Sequence, residues 1–194
     1  MSVDNGFEIA PLNPGWIKRV VPDSYADDGF KKIIMFYVIN TPCIQLSSSA
    51  IPLTEYGWHR NVWKQGELRK QLFDVAGLEL GDTVVIAKKA SEMKKVCKKA
   101  NLDKNFHKSR QIERIAIYLG NYNTFLSICY HIRNSLAHGR LAMYENEEKE
   151  IIFALEDGVR KNGKFSVRSR MILKKSTLLK WIDILQRHDI QEEI

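Results

Sequence analysis

The strongest constraint in this chain is the spacing of Phe125, Ile128, Ile132 and Leu136. Steps of three, four and four put four apolar side chains on one stripe of a helix. Gly139 follows, the residue type best suited to the left-handed conformation in which helices commonly end. Asn123 or Thr124 can cap the beginning. A helix with such a stripe must lie on a core. On the same wheel His131, Asn134 and His138 fall together on roughly the opposite side, with Arg133 on the flank between. The spacing therefore predicts an outward polar face carrying two imidazoles, an amide and a guanidinium within reach.

Those residue types have a chemistry. Histidine is the side chain whose unperturbed pKa lies near neutrality, so it takes and gives protons at cellular pH. Arginine is a fixed planar cation matched to phosphate oxygens and to charge developing on a phosphorane. Arg133, Asn134 and His138 within one and a half turns suit the handling of a phosphodiester without a metal. Spacing alone leaves the plainer alternative open, that these are solvated polar residues on an exposed helix face.

The full string is more specific. Arg133-Asn134, three residues, then His138-Gly139 resembles the signature of HEPN domains, an Arg, four to six intervening residues, then a His near the end of a helix. The resemblance covers roughly residues 88–140. It implies an α-helical core, a homodimer, and a metal-independent ribonuclease whose site joins the motifs of two subunits. It further implies that His138 acts on the 2′-OH or the leaving oxygen, that Arg133 stabilises the phosphorane, and that Asn134 orients the phosphate or the imidazole. His131 would assist, and Arg140 would hold the backbone. Ribonucleases of this kind are typically toxins or phage-defence effectors restrained by an antitoxin or regulatory partner. Arg140 stands where well-known HEPN toxins carry a tyrosine, which puts regulation through that tyrosine in doubt.

Charge points the same way. The chain carries +7 with a pI of about 9.3, and Lys88–Arg114 holds ten basic residues against three acidic ones, the entire excess. Lys94, Lys95, Lys98 and Lys99 lie within it, an electrostatic footprint for phosphate backbones or a solvated helix face. The three cysteines, Cys43, Cys97 and Cys129, have no metal-ligand spacing and read as free thiols in a reducing cytoplasm. No cofactor or metal is expected. No apolar run approaches a membrane span, and residues 1–15 lack the pattern of a signal peptide.

Along the chain, residues 1–29 read as loops with a short strand through Trp16–Val21, and Lys31–Asn40 as a buried strand rich in β-branched and aromatic residues. Residues 55–76 carry a helix with Leu68, Leu72 and Phe73, in which Trp58 is either a base-stacking residue or core. Leu80–Ile86 reads as a turn into a strand, and helices are expected over Lys88–Ala100 and His107–Leu119. The second of these and the motif helix would form an antiparallel pair. Tyr144–Lys149 is an acidic loop. Ile151–Leu155 and Phe165–Leu173 form a hairpin turned at Asn162-Gly163. Alternation sends Phe165, Val167, Met171 and Leu173 one way and Arg168 and Arg170 the other. Those arginines either extend an RNA-binding surface or keep an edge strand soluble. Ser176 caps a last helix with Leu178, Trp181, Ile182 and Leu185 as its stripe.

The expected class is α+β: a HEPN-like antiparallel helical core with added β-strands and a hairpin. Residues 1–87 form a mixed N-terminal segment and 88–194 the core, or the two make one integrated domain. The leading function is a metal-independent endoribonuclease acting on RNA as a homodimer. The alternatives are a non-catalytic RNA-binding or dimerisation module, and a DNA-binding regulator using residues 55–86.

Overall fold

The computed structural model describes residues 25–59, 67–103, 106, 112–161 and 164–186, without the side chains of Lys161 and Lys164. The expected strand at Trp16–Val21 and the turn at Asn162-Gly163 lie outside the described residues. The class is α+β. Five strands lie in the order β1-β2-β5-β4-β3: β1 Val84–Ala87, β2 Arg114–Tyr118, β3 Leu141–Glu145, β4 Ile151–Lys161 and β5 Lys164–Lys174. β1 and β2 are parallel and every other pair is antiparallel. The helices are α1 Asp28–Ile34, α2 Leu68–Asp74, α3 Met93–Lys99, α4 Thr124–Ala137 and α5 Lys175–Gln186.

α1, α4 and α5 pack on one face of the sheet, where Ile33, Tyr37, Phe125, Ile132 and Trp181 meet Ile115, Phe153, Leu155 and Leu173. α3 covers part of the other face through Met93, Val96 and Cys97. Its partners there are smaller, Ala87, Ala116, Ala142 and Ala154 beside Ile152 and Ile172. Burying each large apolar side chain contributes about 1.5–3 kcal/mol, so the helical face carries most of the hydrophobic stabilisation. The stripe of α5 is as expected, with Leu178, Trp181, Ile182 and Leu185 fully buried, and the hairpin forms with its first strand running on past Leu155 to Lys161.

Several expectations are corrected. Lys31–Asn40 is not a strand but α1 running into a π-helical turn, Met35–Ile39. Phe30, Ile33, Ile34, Tyr37 and Val38 all pack on the core, a helical spacing that the β-branched composition hides. Asp27 caps the helix by accepting from the Phe30 N–H at 3.0 Å, and the Tyr37 hydroxyl donates to the Leu178 carbonyl at 3.2 Å. Within His107–Leu119, Arg114–Tyr118 is strand β2, pairing with β1 and β5. Ile115 and Ile117 enter one core and Ala116 the other, and a short run buried on both sides has no period to betray it. α4 therefore packs on the sheet rather than against a preceding helix. Tyr144 and Glu145, expected in a loop, end β3.

The alternation in β5 is corrected as well. Asp157 pairs with Ser169 but Gly158 with Val167, so Arg168 is an extra residue. The bulge reverses parity: Phe165 and Val167 share a core with Ile172, while Met171 and Leu173 face the other way. Gly158 is required there, since a Cβ would collide with the Ser166 backbone carbonyl oxygen as well as with the Phe165 ring. Ser176 is likewise not the cap of α5. Distant carboxylates serve instead, Glu113 accepting from the Lys174 N–H at 2.8 Å and Glu150 from the Ser176 N–H at 3.3 Å.

Candidate functional site

α4 begins as expected, with the Asn123 side chain accepting from the Leu126 N–H at 3.0 Å. Its end is a Schellman turn. Gly139 takes φ 62°, its N–H donates to the Leu136 carbonyl at 3.1 Å, and the Arg140 N–H donates to the Ser135 carbonyl at 2.8 Å. His138 is the C-cap residue and is exposed. His138 and Arg140 thus flank the glycine of one tight turn.

The polar side of α4 does not face solvent. His131 is 3% exposed and Asn134 9%, because β4 lies against them and brings Asp157. His131 Nδ1 is 2.7 Å from Asp157 Oδ2 and its Nε2 is 2.8 Å from the Tyr118 carbonyl oxygen. Asn134 Nδ2 donates to the same Asp157 oxygen at 3.3 Å, and the Gly158 N–H donates to Asp157 Oδ1 at 2.8 Å. His131 is thereby a strut between α4, β2 and β4 and has no free nitrogen for catalysis.

Arg133 is half-buried. Its Nη1 donates to Asn134 Oδ1 at 3.1 Å and its Nη2 to the Leu46 carbonyl at 2.8 Å, while Nε is buried without a partner among the described residues. The motif residues Arg133 and Asn134 are therefore brought into contact. His138 makes no hydrogen bond to either among the described residues.

The other expected RNA-binding residues divide into two groups. Lys94, Lys95, Lys98 and Lys99 are exposed along α3. Arg140 is half-buried, donating from Nη1 to the Gly158 carbonyl at 3.0 Å with its guanidinium carbon 4.1 Å from the Phe165 ring centroid. Arg168 lies 5.5 Å over Tyr118. Burial lowers the pKa of both guanidiniums, far from any change of charge near neutrality. Arg170 is a correction. It is 4% exposed and donates from Nε to Glu156 Oε2 at 2.8 Å, from Nη1 to the Leu102 carbonyl at 2.9 Å and to the Asp103 carbonyl. It is an anchor inside the protein, not part of a binding surface. Comparison with family models, curated proteins and solved structures gives no match.

Sequence reasoning missed Asp157, which gathers His131, Asn134 and the Gly158 N–H. Its only signal was a carboxylate in an otherwise apolar strand run. Among the described residues no three metal-ligating side chains come together. A cysteine nucleophile is disfavoured, since burial pushes the Cys43 thiol up to about 11 and that of Cys97 up to about 12. A cleft of about 980 Å3 opens at the other end of α4, lined by Trp58, Leu68, Phe73, Phe125 and Leu126. Trp58 there is core: it is 4% exposed and its Nε1 donates to the Leu185 carbonyl at 3.0 Å. No helix among the described residues is long and apolar enough to cross a membrane.

Proposed function

We propose that this chain is a metal-independent endoribonuclease of the HEPN type, acting as a homodimer. The observation that carries the reading is the end of α4. His138 is exposed on the closing turn, one and a half turns beyond an Arg133 whose guanidinium is held by Asn134 and Leu46. In this reading His138 moves the proton of the 2′-OH or the leaving oxygen, and Arg133 offsets charge on the phosphorane. Asn134 orients the guanidinium to which it is bonded, and the α3 lysines hold the backbone. A role as toxin or phage-defence effector under a restraining partner follows from the same resemblance.

A second reading is a non-catalytic RNA-binding or dimerisation module. It is favoured by the structural hydrogen bonds of Arg133, Asn134 and His131, which tie the motif into the fold. The DNA-binding alternative rested on residues 55–86, and the burial of Trp58 removes its stacking residue.

The test is a gel assay on a mixed RNA with excess EDTA, using the native protein beside His138→Ala and Arg133→Ala. Cleavage by the native protein alone is expected. Persistent cutting by a folded His138→Ala protein sinks the assignment, and tight binding without cleavage in all three favours the second reading.

A further inference from the structure

The proposed reaction uses the last turns of α4 and leaves the cleft at its first turn without a role. That cleft measures about 980 Å3, at the upper end of the range of about 300–1,000 Å3 in which small-molecule sites fall. Its floor is core, with Trp58, Leu68, Phe73 and Phe125 all buried. The walls are pinned from behind. The Trp58 indole donates to the Leu185 carbonyl at 3.0 Å and the Trp181 indole to the Leu72 carbonyl at 2.6 Å, while the Asn123 side chain caps α4. The cleft is therefore built into the fold. Two large aliphatic side chains that line it stay in water, Ile44 at 65% exposure and Leu80 at 46%. Exposed apolar surface that continues into a concavity is the usual mark of a binding site.

Charge selects the ligand. Among the described residues, the charged side chains bordering the cleft are Glu67, Arg69, Lys70 and Asp74, all on or beside α2. Glu67, Lys70 and Asp74 follow at steps of three and four and so share one stripe. Lys70 Nζ lies 3.0 Å from Glu67 Oε2. The hydrogen bond and charge of Glu67, and then the charge of Asp74, raise the Lys70 pKa. These three satisfy one another. Arg69 lies off that stripe and makes no hydrogen bond or ion pair among the described residues. Thr124 and Phe125 bring the first turn of the 14-residue α4 to the same cleft, and the positive end of its dipole adds to the Arg69 charge.

We propose that this cleft binds a medium-chain carboxylate, with its hydrocarbon tail on Trp58, Leu68, Phe73 and Phe125 and its carboxylate at Arg69. The inference does not depend on RNA cleavage. A tail in the cleft takes Ile44 and Leu80 out of water, which is favourable in proportion to the apolar area covered. A guanidinium can receive both carboxylate oxygens at once. A cationic amphiphile of the same length would fill the cleft equally well but meet Arg69 with like charge, and a neutral one would leave Arg69 unpaired.

The experiment is isothermal titration of the full-length protein with sodium dodecanoate below its micelle-forming concentration. Butanoate, which keeps the carboxylate, and dodecyltrimethylammonium, which keeps the tail, serve as comparisons. Expected are one dodecanoate per chain, no measurable binding of butanoate, and binding of the ammonium weaker by at least about tenfold. Arg69→Gln should weaken dodecanoate binding about fivefold, the worth of one exposed ion pair. Leu80→Glu, which sets a like charge against the carboxylate, should weaken it by at least as much. Arg69 and Leu80 are both exposed, so these variants should melt at the native temperature. Should Leu80→Glu fail to fold, Ile44→Glu makes the same test from another segment of the chain. Absence of saturable dodecanoate binding, many dodecanoates per chain, or ammonium binding of equal strength overturns the proposal. Unchanged dodecanoate affinity in Arg69→Gln, or in a folded Leu80→Glu or Ile44→Glu protein, overturns it as well.

Discussion

Glu156 and Asp157 are neighbours on β4, both carboxylates and both buried, yet they serve opposite layers. Successive side chains of a strand point to opposite faces. Asp157 turns to the helical layer and has both oxygens occupied, Oδ2 by His131 and Asn134 and Oδ1 by the Gly158 N–H. Glu156 turns to the α3 layer, where Oε2 receives Arg170 and Oε1 has no partner among the described residues. Asp157 is a hub for three donors, the His131 ring, the Asn134 amide and the Gly158 N–H, and Glu156 is half of an ion pair with Arg170. A charge pair depends on one partner for its compensation, whereas a hub spreads the loss over several bonds.

The largest effect should come from breaking the pair. Arg170→Met leaves Glu156 buried and uncompensated and should cost about 3–5 kcal/mol in urea unfolding. Adding Glu156→Leu to that variant should recover much of the loss, because an apolar pair of similar volume avoids the desolvation of two ions. A double variant as weak as the single would show that Arg170 matters chiefly through the Leu102 and Asp103 carbonyls.

Asp157→Asn should cost less, about 1–3 kcal/mol, since one oxygen acceptor survives while one hydrogen bond is lost. A cost above that of Arg170→Met would reverse the ranking of the two carboxylates.

Next comes a pH effect that belongs to Glu156. Burial raises its pKa, outweighing the nearby Arg170 charge that lowers it. A folded-state pKa above the unfolded value means the folded protein holds the proton more tightly. Its contribution is therefore full below the usual glutamate value of about 4.3 and is lost as pH rises from there through the raised folded value. Glu156→Gln should flatten that fall in thermal melts across the same window, whatever it does to absolute stability. An unchanged slope would assign the titration elsewhere.

The smallest effect should be His138→Ala. The side chain is exposed at a helix end, so the unfolding free energy should move by no more than about 0.5 kcal/mol, even as cleavage is lost. A large destabilisation would make His138 structural.

The ends of α4, the hairpin and the stripe of α5 were legible because each depends on signals within a few residues. The Gly139 turn and the spacing of Leu178, Trp181, Ile182 and Leu185 need no knowledge of the rest of the chain. Arg114–Tyr118 was not legible as a strand, since its partners lie in β1 and β5, and α1 was masked by a β-rich composition. In the candidate site, the contact between Arg133 and Asn134 follows from their adjacency. The burial of His131 and Asn134 does not, because a helical wheel locates the side opposite the apolar stripe but cannot know that a strand carrying Asp157 will cover it. Strand alternation assumes an unbroken register and so puts Arg168 and Arg170 on one face, but the bulge breaks that register between them.

The sheet order has a kinetic consequence. β3, β4 and β5 follow one another in sequence and pair as neighbours, but β2 closes on β5 with Arg114 opposite Ile172, across more than a quarter of the chain. Loop-closure entropy must be met before that pairing is rewarded. The meander can therefore assemble from local contacts, while joining the β1–β2 pair to it is the long-range step. In pulse-labelled hydrogen exchange during refolding, amides of β4 should gain protection before those of β2.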